Sequence, residues 1–250
     1  MEDRGDQPSD ADTLIEVLSG IRCIFLDFDG PLSHLFVKWP SQGMAGTFRA
    51  VLDRANLHSA RLSAMTDPYA MFRALPECFP ERSFETDRQL RSVAREFEEQ
   101  LTTAEIKRVD LADPTSGAVD CVQAMYDTGR TLAIATNNSP EPVQAFLKTH
   151  GIDRLFDGRV FGRGWDPRLL KPHPDTVRRA LAVVAQDGIS AEQCLLVGDT
   201  PADLAAARAA GVGFIGYCVS AAKARALQDD GVRYWVDSMN SLRRAVAGAA

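Results

Sequence analysis

Three apolar runs in this 250-residue chain each stop abruptly at a cluster of polar residues, and that repeated junction restricts the fold more than any other feature. Ile21 to Leu26 runs into Asp27-Phe28-Asp29-Gly30. Thr131 to Ala135 runs into Thr136-Asn137-Asn138. Cys194 to Val197 runs into Gly198-Asp199-Thr200-Pro201-Ala202-Asp203. Short runs of β-branched and other apolar residues bounded this way read as buried strands. Val160-Phe161, 213–217 and 234–236 add shorter strand candidates, and helical patterns lie between them. Residues 115–127 form one such pattern, stopped by Gly129. Ser139 can cap another, with Pro140 at its first position and Gly151 beyond its end. Further patterns cover 12–20, 175–186, 202–210 and 221–228, and Ser190-Ala191-Glu192-Gln193 resembles a capping box. Strands alternating with helices imply α/β architecture, a parallel sheet covered on both faces in three layers. The carboxyl ends of such strands share one edge, and ligands bind in the crevice there. Three clusters far apart in sequence therefore converge on one site.

The alternation breaks once. From His34 to Asp113 the patterns are helical only (47–58, 68–75 and a long charged stretch, 84–108), with no convincing strand. This block is most simply an inserted all-helical domain. Residues 1–33 and 114–250 then form the α/β core, and 34–113 the insertion.

Asp27, Asp29, Asp199 and Asp203 all fall at the shared edge. Like charges at close range repel, and some would take up protons unless a cation binds. Oxygen-only ligands suit a hard cation, and Mg²⁺ is the natural choice. Strand alternation places Asp27 and Asp29 on one side, with Phe28 turned the other way. One carboxylate can then attack phosphorus while the other handles the proton. Taken singly, each cluster has a plainer reading: a turn for Asp27-Phe28-Asp29-Gly30, a polar loop for Thr136-Asn137-Asn138, helix capping for Gly198 to Asp203, and a solvated surface lysine for Lys171. His173 reads as a turn residue, and Trp39 and Trp165 as packing residues.

Composition removes other classes. With 28 Lys+Arg against 34 Asp+Glu the formal net charge is −6, without the basic footprint of a dedicated nucleic-acid binder. No apolar stretch approaches the ~18 residues of a membrane span, and the acidic, polar start is not expected to be a signal peptide. The five cysteines form no CxxC pair and the four histidines no HxH or HExxH pattern. Reduced thiols, a cytoplasmic setting and no zinc chemistry are the expectations.

The order of the clusters carries a resemblance. Asp27-Phe28-Asp29-Gly30, Thr136-Asn137, Lys171-Pro172 and Gly198-Asp199 through Asp203 resemble the four motifs of the haloacid dehalogenase-like (HAD) hydrolases, particularly the phosphoglycolate-phosphatase-like branch. The resemblance covers roughly Ile21 to Val236, and the helical insertion is similar to that family's cap. It implies a Rossmann-like HAD core and an enzyme that hydrolyses a small phosphomonoester through an aspartyl-phosphate. Asp27 would be the nucleophile and Asp29 the acid and base. Asp27, Asp29 (through its carbonyl) and Asp199 would hold Mg²⁺, with Asp203 as further acidic support. Thr136, Asn137 and Lys171 would meet the phosphoryl group, and Thr136 and Lys171 count with the two aspartates as catalytic. Phe28 joins the substrate-binding candidates. The family usually has Thr after the motif glycine, where this chain has Pro31. His34, Lys38 and Trp39, at the entrance to the insertion, are further candidate contacts. The expected partner is a small phosphorylated metabolite, with neither nucleic acid nor membrane. Two alternatives remain, a phosphosugar mutase on the same scaffold and a non-enzymatic binding protein of this fold.

Overall fold

The computed structural model describes residues 7–35 and 41–250. Six strands, β1 Cys23–Leu26, β2 Thr131–Ala135, β3 Val160–Phe161, β4 Cys194–Gly198, β5 Gly213–Tyr217 and β6 Trp235–Val236, form one sheet. Its order is β3-β2-β1-β4-β5-β6, with every pair parallel. The helices are α1 Ala11–Leu18, α2 Ser41–Arg54, α3 Ala60–Ala64, α4 Pro68–Ala74, α5 Arg88–Val109, α6 Ala118–Asp127, α7 Pro140–Thr149, α8 Asp153–Phe156, α9 Asp175–Val184, α10 Pro201–Ala210, α11 Ala221–Asp229 and α12 Met239–Gly248. The expected α/β core is observed. Sequence reading did not foresee α12, α3 or α8, and β1 begins at Cys23 rather than Ile21.

Alternation along β1 sets the layers. Ile24, Leu26 and Phe28 face one side with Leu14, Leu18, Val122, Met125, Phe146 and Leu242. Cys23 and Phe25 face the other with Val177, Ala180, Ala206 and Ala207 of α9 and α10. All five cysteines are free thiols. By the same parity Asp27 points toward the α9–α10 side, where α10 begins.

The chain leaves the sheet after β1 and returns before α6. The two crossing segments lie side by side: Ser33 bridges Pro114, the His34 N–H donates to the Asp113 carbonyl at 3.0 Å, and Thr115 Oγ1 donates to the Gly30 carbonyl at 2.6 Å. Beyond them α2, α4 and α5 enclose their own apolar core, including Phe48, Phe72, Leu90, Phe97 and Leu101, with Phe48 and Phe97 stacked at 3.8 Å between centroids. Trp165 packs on this helical core beside Phe84, with Arg95 over its ring at 4.1 Å. Lys38 and Trp39 lie outside the described residues. Among the described residues no helix is long and apolar enough to cross a membrane.

At the opposite edge of the sheet, buried Arg130 ties the first and last helices together. It donates to the carbonyls of Leu18, Ile21 and Ala249 at 3.1–3.2 Å and to Thr128 Oγ1 at 2.6 Å. These partners are carbonyls and a hydroxyl rather than a carboxylate, and they need a donor. Arg130→Met should therefore lower stability by about 2 kcal/mol or more, read from the midpoint of urea denaturation at unchanged slope.

Candidate active site

The carboxyl ends of β1, β2 and β4 carry the three polar clusters to one place. Pairing of Leu26 with Ile134 and with Val197 puts Asp27 level with the ends of both neighbouring strands. Two glycines make the approach possible. Gly30 has φ of 104°, in the left-handed region, and a Cβ there would lie 2.5 Å from Asp199 Oδ2. A Cβ on Gly198 would lie 2.5 Å from the Cβ of Asp203.

Asp27, Asp199 and Asp203 each bring a carboxylate oxygen within 4.8 Å of the others, and all three are buried. Lys171, 1 % exposed, sits among them. Its Nζ lies 2.9 Å from Asp27 Oδ1 and 2.5 Å from Asp203 Oδ1, and it donates to the Ala135 carbonyl at 2.9 Å. Burial alone would push the lysine down. The two carboxylates outweigh it and hold the ammonium above the ordinary lysine value. Lys171 is thus no solvated surface residue.

Asp203 spends both oxygens inside the protein. Oδ2 accepts from the N–H groups of Asp199 and Thr200 at 3.2 and 3.0 Å and from Thr200 Oγ1 at 2.7 Å, while Oδ1 faces Lys171. It closes a capping box with Thr200 at the start of α10. Capping and site assembly are the same set of bonds here, and Asp203 orients Lys171 rather than serving as an open ligand. Asp199 pairs at the rim with Lys223, which stands three residues beyond the Ser220 cap of α11.

The remaining candidates depart from expectation in detail. The Phe28 side chain is wholly buried and packs edge-to-face on Phe146 at 5.1 Å, so it does not meet a substrate. Its N–H donates to Asp27 Oδ1 at 2.8 Å. Asn137 turns its side chain to the backbone of Lys171: Oδ1 accepts from the Lys171 N–H at 2.8 Å and Nδ2 donates to the Lys171 carbonyl at 3.2 Å. It places the lysine instead of pointing its amide at the site. Thr136 is fully buried, its hydroxyl donating to Asn138 Oδ1 at 3.0 Å. Ser139 stands at the N-cap of α7 without a side-chain cap bond, and its N–H donates to Glu105 of the insertion at 3.0 Å. Asp29, half-buried, lies outside the three-carboxylate group. His173 accepts from the Asp175 N–H at 3.2 Å, as a turn residue would.

Sequence reading missed Tyr69, Glu105, Arg163 and Lys223. A signal existed for Glu105. The buried stripe of α5 runs through Leu90, Val93, Ala94, Phe97 and Leu101 and continues at Glu105 and Val109, so a carboxylate occupies an apolar position.

The site fits a hard divalent cation. Its donors are oxygens, its carboxylates outnumber the buried ammonium, and Gly30, where a Cβ would collide with Asp199, lets that carboxylate close on the end of β1. Asp27 and Asp199 are the residues with an oxygen to offer.

Comparison with known proteins follows the same lines. The family profile described as "Haloacid dehalogenase-like hydrolase" matches residues 74–217, which includes three of the four clusters. A phosphoglycolate phosphatase of Salmonella paratyphi A is 34% identical over 129 residues, 51% of this chain and 48% of that protein. One of Rhodospirillum rubrum is 37% identical over 97 residues, 38% of each chain. The chain thus matches about half the length, or less, of these curated relatives. A haloacid dehalogenase-like family protein of Streptococcus pneumoniae superimposes with a TM-score of 0.56 at 18% identity, over 89% of this chain and 96% of that one. A HAD family hydrolase of Deinococcus radiodurans, solved with bound phosphate and sodium, does so with 0.54 at 22% identity, over 92% and 97%. These two likenesses show the fold.

The crowding of carboxylates predicts a pH response. Burial pushes the Asp27 carboxyl from 3.8 up to about 7; Lys171 opposes the rise, and Asp203 and Asp199 add to it. An acid whose folded pKa is raised binds its proton more firmly when folded, so this group's contribution to stability is present below the unfolded value and is lost as pH rises through the folded one. In chelator-treated protein the thermal midpoint should carry that loss between pH 4 and 7. Added Mg²⁺ should raise the midpoint more at pH 8 than at pH 5. A rise of equal size at both pH values would contradict the reading.

Proposed function

Because this chain belongs to the haloacid dehalogenase-like hydrolase family, we propose that it is a Mg²⁺-dependent phosphatase acting on a small phosphomonoester through an aspartyl-phosphate on Asp27. One observation carries the reading. A buried carboxylate at the carboxyl edge of the sheet is held by a buried ammonium, Lys171 Nζ at 2.9 Å from Asp27 Oδ1. Asp29 stands two residues on, just past the end of β1. The curated phosphoglycolate phosphatases support the choice of phosphate esters.

The steps follow from these residues. An Asp27 carboxylate oxygen attacks phosphorus, and the bond from phosphorus to the ester oxygen breaks. Asp29 gives its proton to the departing alkoxide. Asp29, now ionised, takes a proton from water. The resulting hydroxide attacks the phosphorus of the acyl phosphate, which frees inorganic phosphate and restores the Asp27 carboxylate.

Lys171 opposes the rise that burial imposes on Asp27 and offsets negative charge on the transferring group. Asp203 and Asn137 hold that lysine, one at its ammonium and the other at its backbone. The backbone of the turn at Thr136 would meet the same group from the end of β2. Asp27, Asp199 and the Asp29 carbonyl would hold Mg²⁺, which supplies positive charge at the phosphoryl oxygens when bound. The insertion shields the site from bulk water.

Hydrolysis of p-nitrophenyl phosphate, followed by a panel of sugar phosphates, nucleotides and phospho-acids, tests the proposal. Turnover should require Mg²⁺ and vanish with chelator. Asp27→Asn should lower kcat by about a thousandfold or more. Asp29→Asn should slow both steps while the variant still binds inorganic phosphate. Full activity of Asp27→Asn, or robust turnover without a divalent cation, would sink the mechanism.

A further inference from the structure

We propose that Glu105, a carboxylate of the helical insertion, is a positioning residue for the turn Thr136 to Ser139, which the resemblance assigns to the phosphoryl group, so that the insertion completes the phosphate site as well as covering it. Glu105 is fully buried near the end of α5, and four donors converge on it. Arg163 Nη1 lies 2.6 Å from Oε1, Asn138 Nδ2 donates to Oε1 at 3.0 Å, the Ser139 N–H donates to Oε2 at 3.0 Å, and the Tyr69 hydroxyl donates to Oε1. Arg163, equally buried, also donates to the Asn137 carbonyl at 3.1 Å and to Thr102 Oγ1 at 2.9 Å. Two elements of the insertion and two loops of the core therefore meet at one carboxylate.

The chemistry of the partners makes this more than docking. An ionised carboxylate only accepts, so it draws the amide nitrogen of Asn138 toward itself. The amide oxygen is then left facing Thr136, whose hydroxyl donates to it at 3.0 Å, while the Asn138 N–H donates back to Thr136 Oγ1 at 3.2 Å. Glu105 thus fixes the course of the turn itself, holding it at the Asn138 side chain and at the Ser139 N–H. A glutamine at 105 would present a donor as well, and Asn138 could flip. The turn would then lose its hold at Asn138 and its backbone would be free to shift. Simple attachment of the insertion would not need these charges, because a buried ion pair is often no more stabilising than an apolar pair of similar volume.

The kinetic arm of the test rests on the phosphatase reading, and the binding arm does not. Inorganic phosphate is titrated calorimetrically into Mg²⁺-loaded wild type, Glu105→Gln and Tyr69→Phe, and KM and kcat for p-nitrophenyl phosphate are measured on the same preparations. Glu105→Gln should weaken phosphate binding and raise KM by about tenfold, with a smaller fall in kcat. Tyr69→Phe keeps the ion pair and removes one donor, and should shift both constants by about two- to threefold in the same direction. If Glu105→Gln does not fold, Tyr69→Phe decides the matter. A folded variant with lower thermal stability but wild-type phosphate affinity and KM overturns the proposal, since that is the signature of attachment alone. If wild type binds phosphate but turns over no ester, the phosphatase reading fails and the binding arm still judges Glu105. Wild type that binds no phosphate overturns both.

Discussion

The site depends on one nitrogen. Lys171 Nζ touches the end of β2 through the Ala135 carbonyl, β1 through Asp27 and the first turn of α10 through Asp203. Three segments from distant parts of the chain are thereby tied together at the carboxyl edge of the sheet. Removing the ammonium would leave two carboxylates facing each other out of water, the arrangement proteins tolerate least. The supports of the lysine are therefore as important as the lysine itself. Asn137 clamps its backbone from both sides, and the Asp203 cap keeps one carboxylate oxygen in place for it.

Charge is arranged in two nests of opposite polarity. In the sheet crevice a cation is ringed by acids. One layer outward an acid is ringed by donors, with Glu105 at the centre and Arg163, Tyr69, Asn138 and Ser139 around it. The turn from Thr136 to Ser139 belongs to both, because Asn137 faces the first nest and Asn138 the second. Neighbouring side chains on one short turn thus address the core and the insertion separately. This is how a four-residue segment can carry information between them.

Much of this was legible in the sequence where short-range geometry decides it. Strand alternation placed Phe28 opposite Asp27 and Asp29, and the structure buries its ring against Phe146. The glycines at 30 and 198 stand where a Cβ would collide with Asp199 and Asp203. What could not be read was the pairing of polar groups brought together only by folding. Asn137 lies 34 residues from the backbone it clamps, and Glu105 lies 58 residues from Arg163. Ser139 sits at a helix start in the expected way, yet its N–H is satisfied by a carboxylate from another layer, which no local capping rule anticipates. The stripe of α5 did mark Glu105, since a charge on an apolar face demands a partner. It did not say which one.

The paired crossing at Ser33 and Pro114 has a consequence for how such a molecule can change. Entry and exit lie side by side, so the insertion is in effect one long loop between adjacent strands, and the sheet can close whatever that loop contains. Such an attachment invites replacement of the whole insertion by another of different size. Arg163 limits that freedom. It is enclosed entirely, and its carboxylate partners, Glu98 and Glu105, both come from the insertion. An exchanged insertion would have to bring an acid to the same spot or leave a buried charge alone. The graft point is permissive, and the compatibility requirement lies elsewhere, in a single core arginine waiting for its counter-ion.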